Sequence, residues 1–165
     1  ACAWIAYESN APVYARIDKG VLPALYNEGD NLADGLKVIT KLTDVNIIST
    51  GFMSQRAVKV ADALEKHSID VGVIDLFRIK PLNEALLLKL VGQWKRLITI
   101  EENSIAGGIG TTISELLTDN QKNISLKRIA LEDKQYFDYG SREWLHGLCK
   151  IDVDSIVEEI LAWNN

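Results

Sequence analysis

The stretch ITIEENSIAGGIGTTISELL, Ile98 to Leu117, decides how this chain folds. Arg96 to Glu101, RLITIE, is an apolar run of strand formers and reads as a buried β-strand. Two acids follow, then a glycine cluster. Beyond it, Ile109, Ile113, Leu116 and Leu117 recur at helical spacing on one face. The segment is therefore a strand, a tight corner and an amphipathic helix in direct succession.

Working outward, the same rhythm repeats. LKVITKL (Leu36 to Leu42) and DVNIISTG (Asp44 to Gly51) read as two short strands joined tightly near Thr43-Asp44, and so short a link favours an antiparallel pair. In SQRAVKVADALEK the residues Ala57, Val58, Ala61 and Leu64 share a helical face. DVGVIDL (Asp70 to Leu76) is a strand. PLNEALLLKLVG is a helix with Asn83 as N-cap, Gly92 as its stop, and Leu86, Leu87, Leu90 and Val91 facing a core. SLKRIAL (Ser125 to Leu131) is a strand. A short helix starts at Ser141. A last one follows with Asp152 as N-cap, and with Ile151 and Ile156 placed as a hydrophobic staple. Strands alternating with helices of this length predict an α/β fold, with parallel strands and helices on both faces. The antiparallel opening pair makes the sheet mixed.

The first thirty-five residues differ in texture. Residues 1–9 read as the tail of an amphipathic helix, ended by Asn10-Ala11-Pro12 because the residue before proline avoids helical geometry. Val13 to Ile17, VYARI, alternates as a strand does. Residues 20–35 carry three glycines and a proline without a period. They read as a connecting arm and mark the candidate domain boundary. The chain opens without Met in what looks like mid-helix, as an excised fragment would.

Composition narrows the function class. The 165 residues suffice for one well-buried domain. A net charge of -5 with no Lys/Arg block argues against nucleic acid. No apolar run reaches the length of a membrane span, and residues 1–10, without a basic start or a long apolar core, are not expected to be a signal peptide. Cys2 and Cys149 are lone thiols without paired spacing. The reading is a cytoplasmic protein with neither a disulfide framework nor a metal site. His67 and His146 lie far apart with no ligand-spaced partner, and no nucleophile–base–orienter set is visible. Trp94, Trp144 and Trp163 read as core or interface bulk. No catalytic residue is assigned.

The corner at Gly107, Gly108 and Gly110 supports two readings. A strand leading into a helix through glycines exposes amide N–H groups to an anion. Equally, Gly107 and Gly108 can supply positive φ and Gly110 a close helix–strand approach. The pattern is neither G-x-G-x-x-G nor a P-loop, and Glu101 and Glu102 would repel a phosphate if they faced it. Thr50-Gly51 is a second such corner. Glu101, Glu102 and Asp75 are expected at the C-terminal ends of parallel strands, where α/β proteins place their sites. Neighbouring Glu101 and Glu102 point to opposite sides of an extended chain, which argues against a shared-proton dyad. At least one is expected to cap a helix or to pair with a base such as Arg78.

DVNIISTGFMSQRAVKVADAL, DVGVIDLFRIKPLNEALL and ITIEENSIAGGIGTTISELL, in that order, resemble the C-terminal domain of transketolase-like, thiamin-diphosphate-dependent enzymes. YGSREWLHGLCKIDVDSIVEEI is similar to the family's ending, and APVYARIDKG resembles the last strand of the preceding pyrimidine-binding domain. The resemblance implies a three-layer α/β/α domain with a mixed five-stranded sheet whose first strand is antiparallel. It implies that residues 1–19 are the tail of the pyrimidine-binding domain, 20–35 the arm and 36–165 the C-terminal domain. The parent would transfer a two-carbon ketol unit between sugar phosphates. Deoxyxylulose-5-phosphate synthase and the 2-oxoacid dehydrogenase β-subunit are close alternatives, and a free-standing anion-binding regulatory module is a rival of another class. Thiamin diphosphate and a divalent metal belong to the parent's other domains, so none is expected on this fragment and the isolated chain is expected to be inactive. Its partners would be those domains or a separate N-terminal subunit, in a homodimeric parent. Glu102 and Asn103 become candidates for the substrate channel. Some family members carry histidine where Asn103 stands, and Asn does not titrate near neutral pH.

Overall fold

The computed structural model describes residues 2–164, without the side chains of Cys2 and Asn164. Its centre is a five-stranded sheet in the order β1-β3-β2-β4-β5. The strands are β1 (Leu36–Val38), β2 (Val45–Ser49), β3 (Val71–Leu76), β4 (Arg96–Ser104) and β5 (Ser125–Leu131). β1 runs antiparallel to β3, and the remaining pairs are parallel. The helices are α1 (Cys2–Tyr7), α2 (Phe52–Glu65), α3 (Glu84–Val91), α4 (Ile109–Asp119), α5 (Arg142–Leu148) and α6 (Val153–Asn164).

Side-chain alternation divides the core. Ile47, Val73, Ile98, Ile100 and Ile129 point to one face, where α2 and α6 cover them with Val60, Leu64, Ile156 and Ile160. Ile48, Ile74, Leu76 and Leu97 point to the other, against Leu87 and Val91 of α3 and Ile113, Leu116 and Leu117 of α4. The result is the three-layer α/β/α arrangement that the motifs imply.

Local signals act where the sequence places them. Asn83 Oδ1 accepts the Leu86 amide at 3.2 Å and opens α3. Ser141 caps α5 through the Trp144 amide, and Asp152 accepts from Asp154 and Ser155 at the start of α6. Ile151 and Ile156 of the staple are buried.

Two expectations need correction. β1 and β2 are not paired with each other, because β3 lies between them. The link after β1 stays extended along β3, with the Ile39 amide donating to Val73 O at 2.8 Å. It then crosses β3 at Gly72, where a Cβ would lie 2.8 Å from Leu42 Cα. A short link thus carries the chain past β3 because glycine leaves room for it. Val13 to Ile17 forms no strand. Val13, Tyr14 and Ile17 are 52%, 89% and 84% exposed, and the segment pairs with none of the five strands.

Candidate functional site

β4 outlasts its neighbour. Its pairing with β2 ends at Ile100, opposite Ser49, and the strand then runs on to Ser104 through a register irregularity against β5. Glu101, Glu102 and Asn103 therefore lie within the strand, not after it, and overhang the carboxyl end of β2. The chain leaves β2 toward α2 on one face and leaves β4 toward α4 on the other. Such a divergence between adjacent parallel strands makes a crevice, the usual ligand position in open α/β sheets.

Alternation sends the two glutamates to opposite faces, as their adjacency predicts. Glu101 follows Leu97 and Thr99 toward α4. Its carboxylate accepts the amides of Ile109 at 2.8 Å and Gly110 at 2.9 Å. These are the first N–H groups of the helix, so Glu101 takes the place an external anion would occupy. Burial pushes its carboxyl up, against the pull of the two amides and the charge of Arg128. Of the three glycines, only Gly107 has positive φ, 78°. Gly108 is needed for space, since a Cβ there would lie 2.6 Å from Glu101 Oε1. Gly110 lets α4 approach β4 and β5, since its Cβ would meet Thr99 Oγ1 at 2.7 Å and Arg128 Cδ at 3.0 Å.

Glu102 turns toward α2 and α5. Arg142 donates to both its oxygens, Nε to Oε1 at 2.9 Å and to Oε2 at 3.2 Å, and Nη2 to Oε2 at 2.7 Å. His146 Nε2 lies 2.9 Å from Oε1. Burial alone would raise the Glu102 carboxyl, but the His146 and Arg142 hydrogen bonds and charges outweigh it and hold it down at about 2. Arg142 Nη1 reaches Asp18 at 2.7 Å, and its guanidinium carbon stands 4.0 Å from the centre of the Phe52 ring. His146 is buried, packs edge-on to Phe52, and leaves Nδ1 without a partner among the described residues.

The second corner, Thr50-Gly51, is filled in the same manner. Gly51 takes φ 57° before α2. Buried Asp75, at the end of β3, accepts the Gly51 amide and Ser54 Oγ, the latter at 2.6 Å. Ser54 in turn accepts from Ser49 Oγ at 3.1 Å, and Tyr26 of the arm donates its hydroxyl to the other Asp75 oxygen. Burial pushes the Asp75 carboxyl up despite these donors.

The predicted site residues thus divide. Glu101 and Glu102 share a strand but serve different helices. Asn103 is exposed beside Glu102. The base that pairs with Glu102 is Arg142, not Arg78, whose Nε is buried without a partner among the described residues while its side chain crowds Gly35. His67 is exposed and remote from the crevice. Sequence reasoning assigns no role to Arg142, His146, Asp18 or Tyr26. The i,i+4 spacing of Arg142 and His146 behind the Ser141 cap was the available signal, because it puts both on one helical face.

Comparison with known proteins agrees with this architecture. The family model described as "Transketolase, C-terminal domain" matches residues 35–156. One of the subunits of the apulose-4-phosphate transketolase of Actinobacillus succinogenes is 30% identical over 93% of this chain and 50% of that protein. The 1-deoxy-D-xylulose-5-phosphate synthase of Clostridium tetani is 27% identical over 94% of this chain and 25% of that protein. The chain thus spans between a quarter and a half of the length of these curated relatives. A solved structure described as a split gene transketolase, inactive beta4 tetramer, superposes with a TM-score of 0.88. It is 24% identical and is matched over 98% of this chain and 53% of its own.

Proposed function

The chain belongs to the transketolase C-terminal domain family, and from that premise we propose that it is the C-terminal domain of an enzyme transferring a two-carbon ketol unit between sugar phosphates. The carrying observation is the family match over residues 35–156. Its role is structural: it supports the assembled enzyme and contributes Glu102 and Asn103 to the rim of the substrate channel. Relatives twice to four times longer support the reading that other domains or a separate chain complete the enzyme. A homodimeric assembly of the parent is part of the same proposal. Residues 1–19 are read as the tail of the preceding pyrimidine-binding domain. Residues 20–35 are the arm and 36–165 the domain itself.

Thiamin diphosphate and its divalent metal do not fit the residues present here. The amides at the α4 corner are taken by Glu101. Among the described residues, no group of three or more His, Cys, Asp or Glu side chains is placed to hold a metal. The cofactor and metal are accordingly assigned to the rest of the enzyme. No helix of the described residues is long and apolar enough to cross a membrane, and a cytoplasmic location remains part of the proposal.

Calorimetry tests the assignment. Titrating the chain with thiamin diphosphate and magnesium should give no saturable heat, and the chain alone should not catalyse ketol transfer. Micromolar cofactor binding would overturn the domain reading. A deoxyxylulose-5-phosphate synthase parent would show itself when the completed enzyme condenses a 2-oxoacid with a triose phosphate instead.

A further inference from the structure

At the carboxyl ends of β2 and β4, Arg142 reaches from α5 to the overhang of β4, beside buried His146. Its guanidinium meets a carboxylate fork from Glu102, at 2.9 and 2.7 Å, and a second carboxylate from Asp18 at 2.7 Å. An aromatic face, Phe52, lies 4.0 Å from its carbon. A planar fork, an added anion and a ring are the components with which proteins select a guanidinium over an ammonium. The three holders come from different elements: Asp18 precedes the arm, Phe52 opens α2 and Glu102 lies on the overhang of β4. Arg142 itself belongs to a short helix that is weakly seated. Of the seven residues of α5, only His146 is buried, while Trp144 and Leu148 are 51% and 47% exposed. Besides the contacts of Arg142 and His146, α5 is tied down by Glu143, which pairs with Arg56 at 2.6 Å and is itself largely exposed.

We propose that Phe52, Glu102 and Asp18 form a guanidinium-binding cradle in which Arg142 is the resident ligand, and that α5 is a latch held shut over the crevice by that occupancy. Opening the latch uncovers Glu102 and Phe52 next to exposed Asn103. A guanidinium from elsewhere can compete for the same cradle. The inference rests on the geometry of this chain and stands whether or not the ketol-transfer reading is right.

Chemical rescue tests it on the chain as it stands. In Arg142→Ala the amides of α5 should exchange with deuterium at least tenfold faster than in the wild type, with β2 and β4 unchanged. Adding methylguanidinium, at ionic strength matched with sodium chloride, should restore α5 protection saturably. Methylammonium should not. Unchanged α5 exchange in Arg142→Ala overturns the latch, and equal rescue by methylammonium overturns the guanidinium cradle. If Arg142→Ala loses protection throughout the domain, Arg142→Lys decides. It keeps the charge but lacks the fork, so α5 alone should loosen. Wild-type α5 protection in that variant would refute the proposal.

Discussion

Gly108→Ala isolates the function of the glycine corner. Gly108 has φ -78° and ψ -172°, an extended conformation open to any residue, so alanine brings no backbone strain. The change acts through space alone. The new Cβ would lie 2.6 Å from Glu101 Oε1, inside contact distance, and the carboxylate must move. Its two acceptor contacts, to Ile109 N at 2.8 Å and Gly110 N at 2.9 Å, are then stretched or lost. Hydrogen bonds to a charged group contribute about 1.5–3 kcal/mol each. The displaced carboxylate recovers part of this by reaching water, whereas the two buried amides do not. The expected loss is about 2–4 kcal/mol of unfolding free energy. At roughly 2–4 °C per kcal/mol for a domain of this size, the melting temperature should fall by about 4–16 °C.

Urea unfolding followed by circular dichroism measures the loss as a lower midpoint at unchanged slope. A double-mutant cycle supplies the sharper test. If the cost is the collision with Glu101, then Gly108→Ala added to Glu101→Ala should cost clearly less than the two changes separately. Millimolar phosphate should stabilise neither protein, because the site is already filled. A Gly108→Ala variant within 0.5 kcal/mol of wild type, or a wild type stabilised by phosphate, would refute the reasoning and favour an external anion at this corner.

Glu102 gives the opposite pH signature from the two buried acids. Its carboxyl is held at about 2 against an ordinary 4.5, so its contribution is complete above about pH 4.5 and is lost as pH falls through 2. Glu102→Gln should therefore cost about 1–3 kcal/mol at neutral pH, and the gap to wild type should shrink in urea titrations toward pH 2. Asp75 is raised by burial, so its contribution is present at low pH and lost as pH rises through its folded value. Tyr26→Phe removes one of its donors and should cost about 1–3 kcal/mol. It should also move the Asp75 carboxyl further up in a carbon-13 titration, and an unmoved resonance would show that the arm does not reach the carboxylate. Gly110→Val should lose about 1–3 kcal/mol by overpacking against Thr99 and Arg128, read from the same urea curves, and an unaffected midpoint would dismiss close packing as the reason for that glycine. In a completed enzyme, Asn103→Ala should lower kcat/KM about two- to twelve-fold with cofactor affinity unchanged. Wild-type kinetics at every pH would remove Asn103 from the channel.

Much of the fold was legible because the periodic segments are long and their boundaries chemically marked. Asn83 and Asp152 cap the helices they were expected to cap, α5 opens at Ser141 where a helix was expected to start, and β5 runs over the very residues that its pattern outlined. Neighbour relations were less legible. A six-residue link allows an antiparallel pair, but the close approach that Gly72 permits, which sends the link past β3, exists only in three dimensions. Within the site, the opposite orientation of Glu101 and Glu102 followed from strand alternation. So did the expectation that at least one of them caps a helix, which Glu101 does. The partners of Glu102 were not legible, since Arg142 and His146 lie some forty residues downstream. Length also misled. β4 reads as ending at its acids because acids are poor strand formers, yet pairing with β5 carries it to Ser104 and makes the overhang on which the crevice depends.

The two glycine corners show why geometry that invites an anion does not by itself make a binding site. Each opens a helix whose first amides need an acceptor, and in neither case is the acceptor a capping side chain from the turn itself. At α2, Asp75 from the adjacent strand β3 takes the amide of Gly51, the residue just before the helix, and the Ser54 hydroxyl. At α4 the acceptor is Glu101 from β4, the strand leading into the turn. Each carboxylate is desolvated to reach the helix end, which is why burial raises both. That desolvation is offset by satisfying amides that would otherwise be buried without partners. Fixed acids at both corners also repel any phosphate that approaches the carboxyl edge of the sheet. This leaves the Glu102 face, where the carboxylate is matched by a cation on a movable helix instead of by a rigid helix end, as the part of the edge able to change partners.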